Sequence, residues 1–538
     1  MSHRQSVHKV VHSRTTTVTS ASEPHATPTR KPHVTSASKP QGSQVRVFWR
    51  HALWVLIGSG ISGWASAGDA SPTDKIILQA LSPSPLATDL RHLTDEIGGR
   101  VTGSPAMARA VDWAVTAFRA AGVEVHTESY TLPVTWQEGV THLDLIGPAQ
   151  FAVKAVSVAW APATEAGGIE APIVDVGNGT VNEFAQAGPA VRDAIVLVNS
   201  RVIVSWEDLF DEYNRAPPII NRALQGGARA ILWVGARDHL LLYRHTDAVS
   251  AEIAQLPMAI VAREDGLRLA RAIAAYPREV RGRLSMTNRV GGPVQQQNVV
   301  GEIRGGDRAG EFVILGAHLD SWELGTGALD NGCNAAMVIA AARAIAAAAV
   351  QPRRTLRFVL FSGEEQGLLG SRAYVQQHRA ELDKISAMIT YDSGTGRVTG
   401  YSLGGRDDLE KPLTEVLAPL ASWGVGRHTL DASPGTDNFD FLLEGVPNLV
   451  ANQEEDNYMV NYHAASDTLD KVDFRNLQQH VAIAALTAFG IAQRKEPLGP
   501  RQSRGEIAEL MQRTGLEQQL RTLGYWPEWE SGARGRQP

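Results

Sequence analysis

Cysteine is almost missing from this chain. Among its 538 residues there is one, Cys333, so no intrachain disulfide can form, and an oxidising compartment is allowed without being required. No histidine stands near it in sequence, and Cys333 reads as a buried small residue rather than a reactive thiol. A surplus of positive charge is also missing. The net charge is −6, which gives no electrostatic case for binding nucleic acid. Internal repeats and coiled-coil heptads are absent. Beyond the N-terminal region no apolar run is long enough to cross a bilayer. The nearest approach, Ala335–Val350, is interrupted by Arg343 and reads as a buried helix. What the chain does have is core-forming material. Hydrophobic residues make up 43% against 20% charged, over a length that suits two or three domains.

The N-terminus differs from the rest. Residues 1–44 are rich in Ser and Thr, with scattered basic residues and Pro, and read as a disordered lead. At 45–67 a basic flank, Arg46-Val47-Phe48-Trp49-Arg50, precedes an apolar run from Ala52 to Trp64 and then Ala65-Ser66-Ala67. That order is a secretory signal peptide cut after Ala67, with a core too short to stay as a comfortable membrane span. The expected localisation is therefore secreted or periplasmic.

Residues 73–135 read as the first part of a catalytic domain. Met107, Val111, Val115 and Phe118 fall on one helix face, Gly122 closes that helix, and Val123–Thr127 reads as a strand. Residues 136–292 change character. Short apolar runs at Leu143–Ile146, Ile173–Val176, Ala194–Val198, Ala230–Val234 and Met258–Val261 alternate with Gly, Pro and Asn. Helices are expected near Pro218–Gln225 and Asp265–Ala275. This reads as an inserted β-rich module with little chemistry of its own. From 293 to 497 strands and helices alternate, which implies an α/β domain with helices on both faces of a mostly parallel sheet. Residues 498–538 add one helix, about Gly505–Leu523, and a loose polar end.

Six residues carry the chemistry. His318 ends Val313-Ile314-Leu315-Gly316-Ala317, Asp330 lies in Gly327-Ala328-Leu329-Asp330-Asn331-Gly332, and Glu364-Glu365 follow Phe361-Ser362-Gly363. Asp392 follows Ile389-Thr390-Tyr391, and His463 sits in Asn461-Tyr462-His463-Ala464-Ala465-Ser466-Asp467-Thr468. Four of the six fall just after apolar strands, where open α/β sheets bind ligands. Two histidines and three carboxylates suit two zinc ions. Asp330 is the natural bridge, with His318 and Asp392 completing one metal and Glu365 and His463 the other. Glu364 is left as general base toward a hydroxide bridging the metals, and as acid toward the leaving amine. The Asp320 carboxylate is placed to orient the His318 ring. The expectation is hydrolysis of a peptide bond.

At these motifs, from Gln297 to about Gln493, the chain resembles the M28 family of zinc aminopeptidases and carboxypeptidases. Arg91–Glu128, with Gly99-Arg100-Val101-Thr102-Gly103-Ser104, matches more weakly. The spacing is most similar to the carboxypeptidase Q branch. The resemblance implies a phosphorylase/hydrolase-like α/β fold with a protease-associated-like insert at 136–292. It implies His318, Asp330, Glu365, Asp392 and His463 as ligands of two Zn²⁺, and Glu364 as the base. It implies an exopeptidase acting on peptides or dipeptides, and a homodimer. One segment departs from the family. Where many members carry Ser-Asp-His, this chain has Gly435-Thr436-Asp437-Asn438-Phe439. Asp437 either contacts a substrate amine or caps a helix at Asn438–Glu444, and Tyr462 either lines the pocket or packs.

Aminopeptidase or dipeptidase action is the leading reading. Carboxypeptidase-type cleavage and a single-zinc glutaminyl cyclase-like transferase are the alternatives. A non-catalytic binding protein is disfavoured, because no ligand is lost.

Overall fold

Alternation of buried side chains decides the layers. In the strand Arg308–His318, Val313, Leu315 and Ala317 enter one apolar cluster, while Phe312 and Ile314 enter another. Successive side chains of a strand point to opposite faces, so this strand is buried on both sides. The computed structural model describes residues 70–243 and 252–537, all within one compact unit, Ala67–Pro538. The lead at 1–44 and the signal read at 45–67 lie outside the described residues.

The main sheet has seven strands. Their order is Glu124–Leu132, Val294–Ile303, Arg354–Phe361, Arg308–His318, Ile385–Thr390, Asn448–Gln453 and Val398–Ser402. Only the middle pairings are parallel; both flanks pair antiparallel. The expectation of a mostly parallel sheet is therefore corrected to a mixed one. Its outer strands were visible only in part from the sequence, because an antiparallel edge strand such as Val398–Ser402 is short and bounded by Gly-containing turns. Helices cover both faces. Cys333–Ala347 and Phe474–Gln493 pack together on one side, joined by Pro72–Leu81 and Pro105–Ala120. Leu369–Gln377 lies on the other, burying Tyr374 and Val375 against Val359, Phe361 and Phe441. The Ala-rich segment is indeed a buried helix.

Residues 141–286 build a second seven-stranded sheet. It runs Thr141–Ile146, Arg281–Met286, Ile169–Asp175, Ile195–Val198, Ala230–Val234, Met258–Val261 and Ala155–Ser157. A two-stranded ribbon, Thr135–Gln137 with Arg289–Gly291, joins it to the main body. Its longest helix, Trp206–Gly226, exceeds the expectation of a helix near Pro218–Gln225. Pro217 and Pro218 suggest a helix start, since a proline inside a helix removes a hydrogen bond and costs about 3 kcal/mol. The helix runs through them. Ser205 caps it by accepting from the Asp208 N–H, and a continuous face of Leu209, Ala216, Ile219, Ile220 and Ala223 is buried.

The C-terminal end is not loose. The expected single helix is broken at Gly515 (φ 77°) into Arg504–Thr514 and Leu516–Thr522, and Trp526–Ser531 follows. Arg534 then buries its guanidinium against Asp440, two bonds of 2.8 Å each. No helix among the described residues is long and apolar enough to cross a membrane.

Candidate active site

Three neighbouring parallel strands end at one edge. His318 is the last residue of its strand, Glu364 and Glu365 follow the strand ending at Phe361, and Asp392 follows the strand ending at Thr390. The His318 strand pairs with both others, and the chain leaves it toward opposite sides: first to Arg354–Phe361, then to Ile385–Thr390. Crossovers departing in opposite directions open a crevice at the carboxyl ends of the strands, where α/β sheets hold their ligands. Asp330 enters on the turn Ala328–Gly332 that leads into Cys333–Ala347. His463 enters on a loop after Tyr458–Asn461, with a left-handed backbone (φ 54°). That conformation is uncommon outside glycine, and the residues just after it are tied to the second sheet's Leu242–Tyr243 segment. Tyr243 and Ala464 form an antiparallel bridge, and the Ala465 N–H donates to the Leu242 carbonyl.

All six residues named from the sequence converge. The two oxygens of Asp330 face the two histidines: Oδ1 lies 3.3 Å from His318 Nε2, and Oδ2 lies 3.3 Å from His463 Nε2. His318 Nε2 is also 2.9 Å from Asp392 Oδ1, and His463 Nε2 is 2.9 Å from Glu365 Oε2. Glu364 Oε2 stands 4.0 Å from His318 Nε2. One ligand atom each from His318, Asp330 and Glu365 lies within 4.8 Å of the others, a group that could hold a metal ion.

Burial makes these charges interdependent. It pushes the Glu365 carboxyl up to about 7 against the pull of His463, and lifts Glu364 well above the carboxylate range, with Asp392 and Glu365 adding to the rise. Burial also lifts Asp330, but His318 and His463 outweigh it and hold that carboxyl low. For His463, burial favours the neutral ring, yet Glu365 and Asp330 raise it to about 9. Such a cluster of buried carboxylates and imidazoles is suited to share a cation. Asp330 Oδ2 and Glu365 Oε1 are buried and accept no hydrogen bond, although buried carboxylate oxygens are normally satisfied. The donor set of imidazoles and carboxylates fits zinc.

The other named residues fall as follows. The ring of His318 is oriented through Nδ1 by the main-chain carbonyl of Asp320 at 3.1 Å; the Asp320 carboxylate, expected in that role, is 3.7 Å away. Its oxygens instead accept the N–H groups of Glu364 and Glu365, at 3.3 Å each, fixing the carboxylate turn. Asp437 is fully buried, and burial pushes its carboxyl up to about 8, with His318 opposing and Asp392 adding to the rise. The helix after it, Phe439–Leu443, starts without a side-chain cap. Tyr462 stacks on His463, ring centroids 3.7 Å apart, and its hydroxyl lies 3.1 Å from that of Tyr213.

A cavity of about 1420 Å³ opens over Glu364, Glu365 and His463. Its walls were not foreseen. The helix Trp206–Gly226 beside the second sheet supplies Trp206, Phe210 and Tyr213, and the C-terminal segment supplies Arg513 from a helix and Leu523 and Tyr525 from the turn between two helices. The second sheet and its helix therefore have a part in the site. Two further residues, Arg100 and Asp467, grip the loops around His318 and Asp330. Both stand inside motifs visible in the sequence, but nothing in sequence says what they hold.

Comparison with known proteins agrees with this geometry. Residues 298–488 match the model of peptidase family M28, a span containing all six converging residues. The chain is similar to carboxypeptidase Q of mouse, 27% identical over 409 residues, covering 76% of this chain and 85% of that protein. Human carboxypeptidase Q is 26% identical with the same coverage. A solved peptidase M28 precursor from Shewanella amazonensis superposes with a TM-score of 0.71 at 29% identity, covering 80% of this chain and 98% of that one. A zinc aminopeptidase from Bacillus subtilis shares the fold, with a TM-score of 0.58 at 19% identity over 74% and 93% of the two chains.

Proposed function

We propose that this chain, whose residues 298–488 belong to peptidase family M28, is a zinc-dependent exopeptidase that hydrolyses the terminal bond of peptides or dipeptides. The observation that carries the reading is Asp330 placed between two histidines, each paired to a further carboxylate, next to a cavity lined by Glu364, Glu365 and His463. His318, Asp330 and Asp392 would hold one zinc, and Asp330, Glu365 and His463 a second. Bound zinc supplies Lewis acidity and brings the ionisation of water from 15.7 to about 7.

The remaining work belongs to the chain. Glu364 is held in reach of the cluster without an imidazole partner as close as those of its neighbours. Burial raises its proton affinity, which suits a group that accepts a proton from attacking water and passes it to the leaving amine. Asp320 keeps Glu364 and Glu365 in register through their main-chain N–H groups. The cavity walls would bind the peptide. Eight acidic residues line the cavity, Glu364 and Glu365 among them, against two arginines, Arg201 and Arg513. That balance favours a substrate presenting its amino end over one presenting a carboxylate, so aminopeptidase or dipeptidase action is preferred to carboxypeptidase action.

A panel of aminoacyl anilides, dipeptides and peptides with blocked amino or carboxyl ends, assayed with and without chelator, tests this. Cleavage of free-amino substrates that is lost with chelator and restored by zinc is expected. Full activity in chelator would remove the metal reading. Cleavage confined to amino-blocked peptides would reverse the polarity, and cyclisation of N-terminal glutamine without hydrolysis would point to the transferase. The second sheet is proposed as a protease-associated-like insert at 136–292. The segment 45–67 is proposed as a cleaved export signal, which N-terminal sequencing of secreted protein would test; a homodimer is proposed by resemblance alone, and its mass in solution decides it.

A further inference from the structure

Arg100 is wholly buried, and its guanidinium is spent on main-chain carbonyls. Nε donates to Leu319 O, one residue past His318. Nη1 donates to Thr326 O and Nη2 to Gly327 O, both at 2.8 Å, four and three residues before Asp330. The Arg100 N–H reaches Ser321 Oγ at 3.2 Å. Gly327 makes room for this. Its φ is +59°, and a Cβ there would stand 2.3 Å from the Ser321 side chain and 2.9 Å from Arg100 Nη1. Asp467 grips the same segment from the other side. Oδ1 accepts the Leu329 N–H at 2.7 Å and Oδ2 the Asp330 N–H at 3.1 Å. Its own carbonyl accepts the Thr326 N–H at 2.7 Å, and its N–H donates to Ala464 O, beside His463.

We propose that Arg100 and Asp467 are positioning residues: between them they clamp the segment Thr326–Asp330 so that the Asp330 carboxylate faces His318 and His463 at once. The inference rests on the zinc reading above. Of the three loops that must agree, those after His318 and around Asp330 are bonded to these side chains, and Asp467 itself belongs to the loop after His463, where its N–H donates to Ala464 O. Six bonds reach four of the five residues Thr326–Asp330, and two of those bonds fix the backbone of Leu329 and Asp330 itself. Supporting partners of this kind typically change metal affinity or activity 10–100-fold when removed.

The molecule contains its own control. Arg354 is equally buried and also spends its guanidinium on carbonyls, those of Arg494 and Lys495, with Glu311 as its ion partner. It does so at the first residue of its strand, the end away from the site, and touches none of the converging residues. A role that is only structural predicts the same behaviour for both arginines.

The experiment compares Asp467→Asn, Arg100→Lys and Arg354→Lys with the wild-type chain. It measures zinc affinity by competition with a chelator, the melting temperature of the metal-free protein, and kcat and KM separately. Asp467→Asn conserves shape but turns one acceptor oxygen into a donor facing an N–H. Asp467→Asn and Arg100→Lys are expected to weaken zinc binding 10–100-fold and to lower kcat with KM near wild type. Arg354→Lys is expected to melt lower with zinc affinity unchanged. Zinc affinity at the wild-type value in Asp467→Asn overturns the proposal, as does an equal loss in Arg354→Lys. If Arg100→Lys does not fold, Asp467→Asn decides alone. A wild-type chain that binds no zinc defeats the zinc reading, and this inference with it; a wild-type chain that binds zinc beside unaffected variants defeats only the inference.

Discussion

From one edge to the other, each seven-stranded sheet has two antiparallel pairings, three parallel ones and a last antiparallel one. Their parallel cores differ in the order in which the chain lays them down. In the second sheet the strands starting at Ile169, Ile195, Ala230 and Met258 lie side by side in sequence order. In the main sheet the chain starts at Arg308–His318, steps one way to Arg354–Phe361, then returns to the other side for Ile385–Thr390 and Asn448–Gln453. Only the second arrangement parts its crossovers and leaves a crevice. All the converging acids and imidazoles sit on that sheet or its loops. The in-order sheet contributes a wall instead, through Trp206, Phe210 and Tyr213. Strand direction alone does not make a site; the reversal does.

That contrast can be broken, and the largest expected effect lies at the crevice. Glu364→Gln should keep its metal and lose turnover on the order of 10²–10⁴-fold. Metal analysis beside kcat checks it, and a variant with wild-type turnover would take Glu364 out of the mechanism. Next comes acid stability. His480, on the helix Phe474–Gln493 behind the main sheet, is buried against the Gly396 carbonyl at 2.8 Å. Burial lowers its imidazole to about 4, with the Gly396 carbonyl and Asp473 opposing. A depressed histidine favours the unfolded chain once protons bind there. Its contribution is therefore full above pH 6.5 and disappears as pH falls toward 4, on the order of 3 kcal/mol. The second sheet's His142 and His239 are exposed, so hydrogen exchange near pH 5 should show the main sheet loosening first. His480→Gln should flatten that dependence, and an unchanged slope would relocate its source.

Smaller effects are expected on the other sheet. Trp206→Ala should raise KM roughly 10-fold with kcat little changed, the pattern of lost uniform binding. A fall in kcat at constant KM would mean that the wall takes part in the chemistry. Smallest of all, Asp175→Ala removes the acceptor of the Gly177 N–H at the end of a second-sheet strand. A melting curve should register about 1 kcal/mol, and turnover should not move.

Legibility followed the range of the interactions. The strands of the parallel cores were readable because an apolar run bounded by glycine and polar turns is a local signal; Ala230–Val234 and Met258–Val261 match residue for residue. Trp206–Gly226 was half seen, because proline is a local signal that tertiary burial overrode. The C-terminal end looked loose because its order depends on Arg534 meeting Asp440, ninety-four residues away. Arg100 and Asp467 were in plain view and had no role until their partners, more than a hundred residues distant, were in place. At Asp320 the sequence could not choose between atoms, since two residues after a strand end the carbonyl, at 3.1 Å, and the carboxylate, at 3.7 Å, compete for one imidazole.

By itself, the sequence determined which residue types follow which strands, and so which side chains could meet at one edge of a sheet. It did so because strand period, turn chemistry and the order of elements are written within a few residues. Only the tertiary structure decided that a second sheet would wall the cavity, that the C-terminal helices would close it, and that a buried arginine and aspartate would hold the Asp330 turn. Those outcomes depend on contacts between segments far apart in the chain, and a contact of that kind leaves no mark on either segment alone.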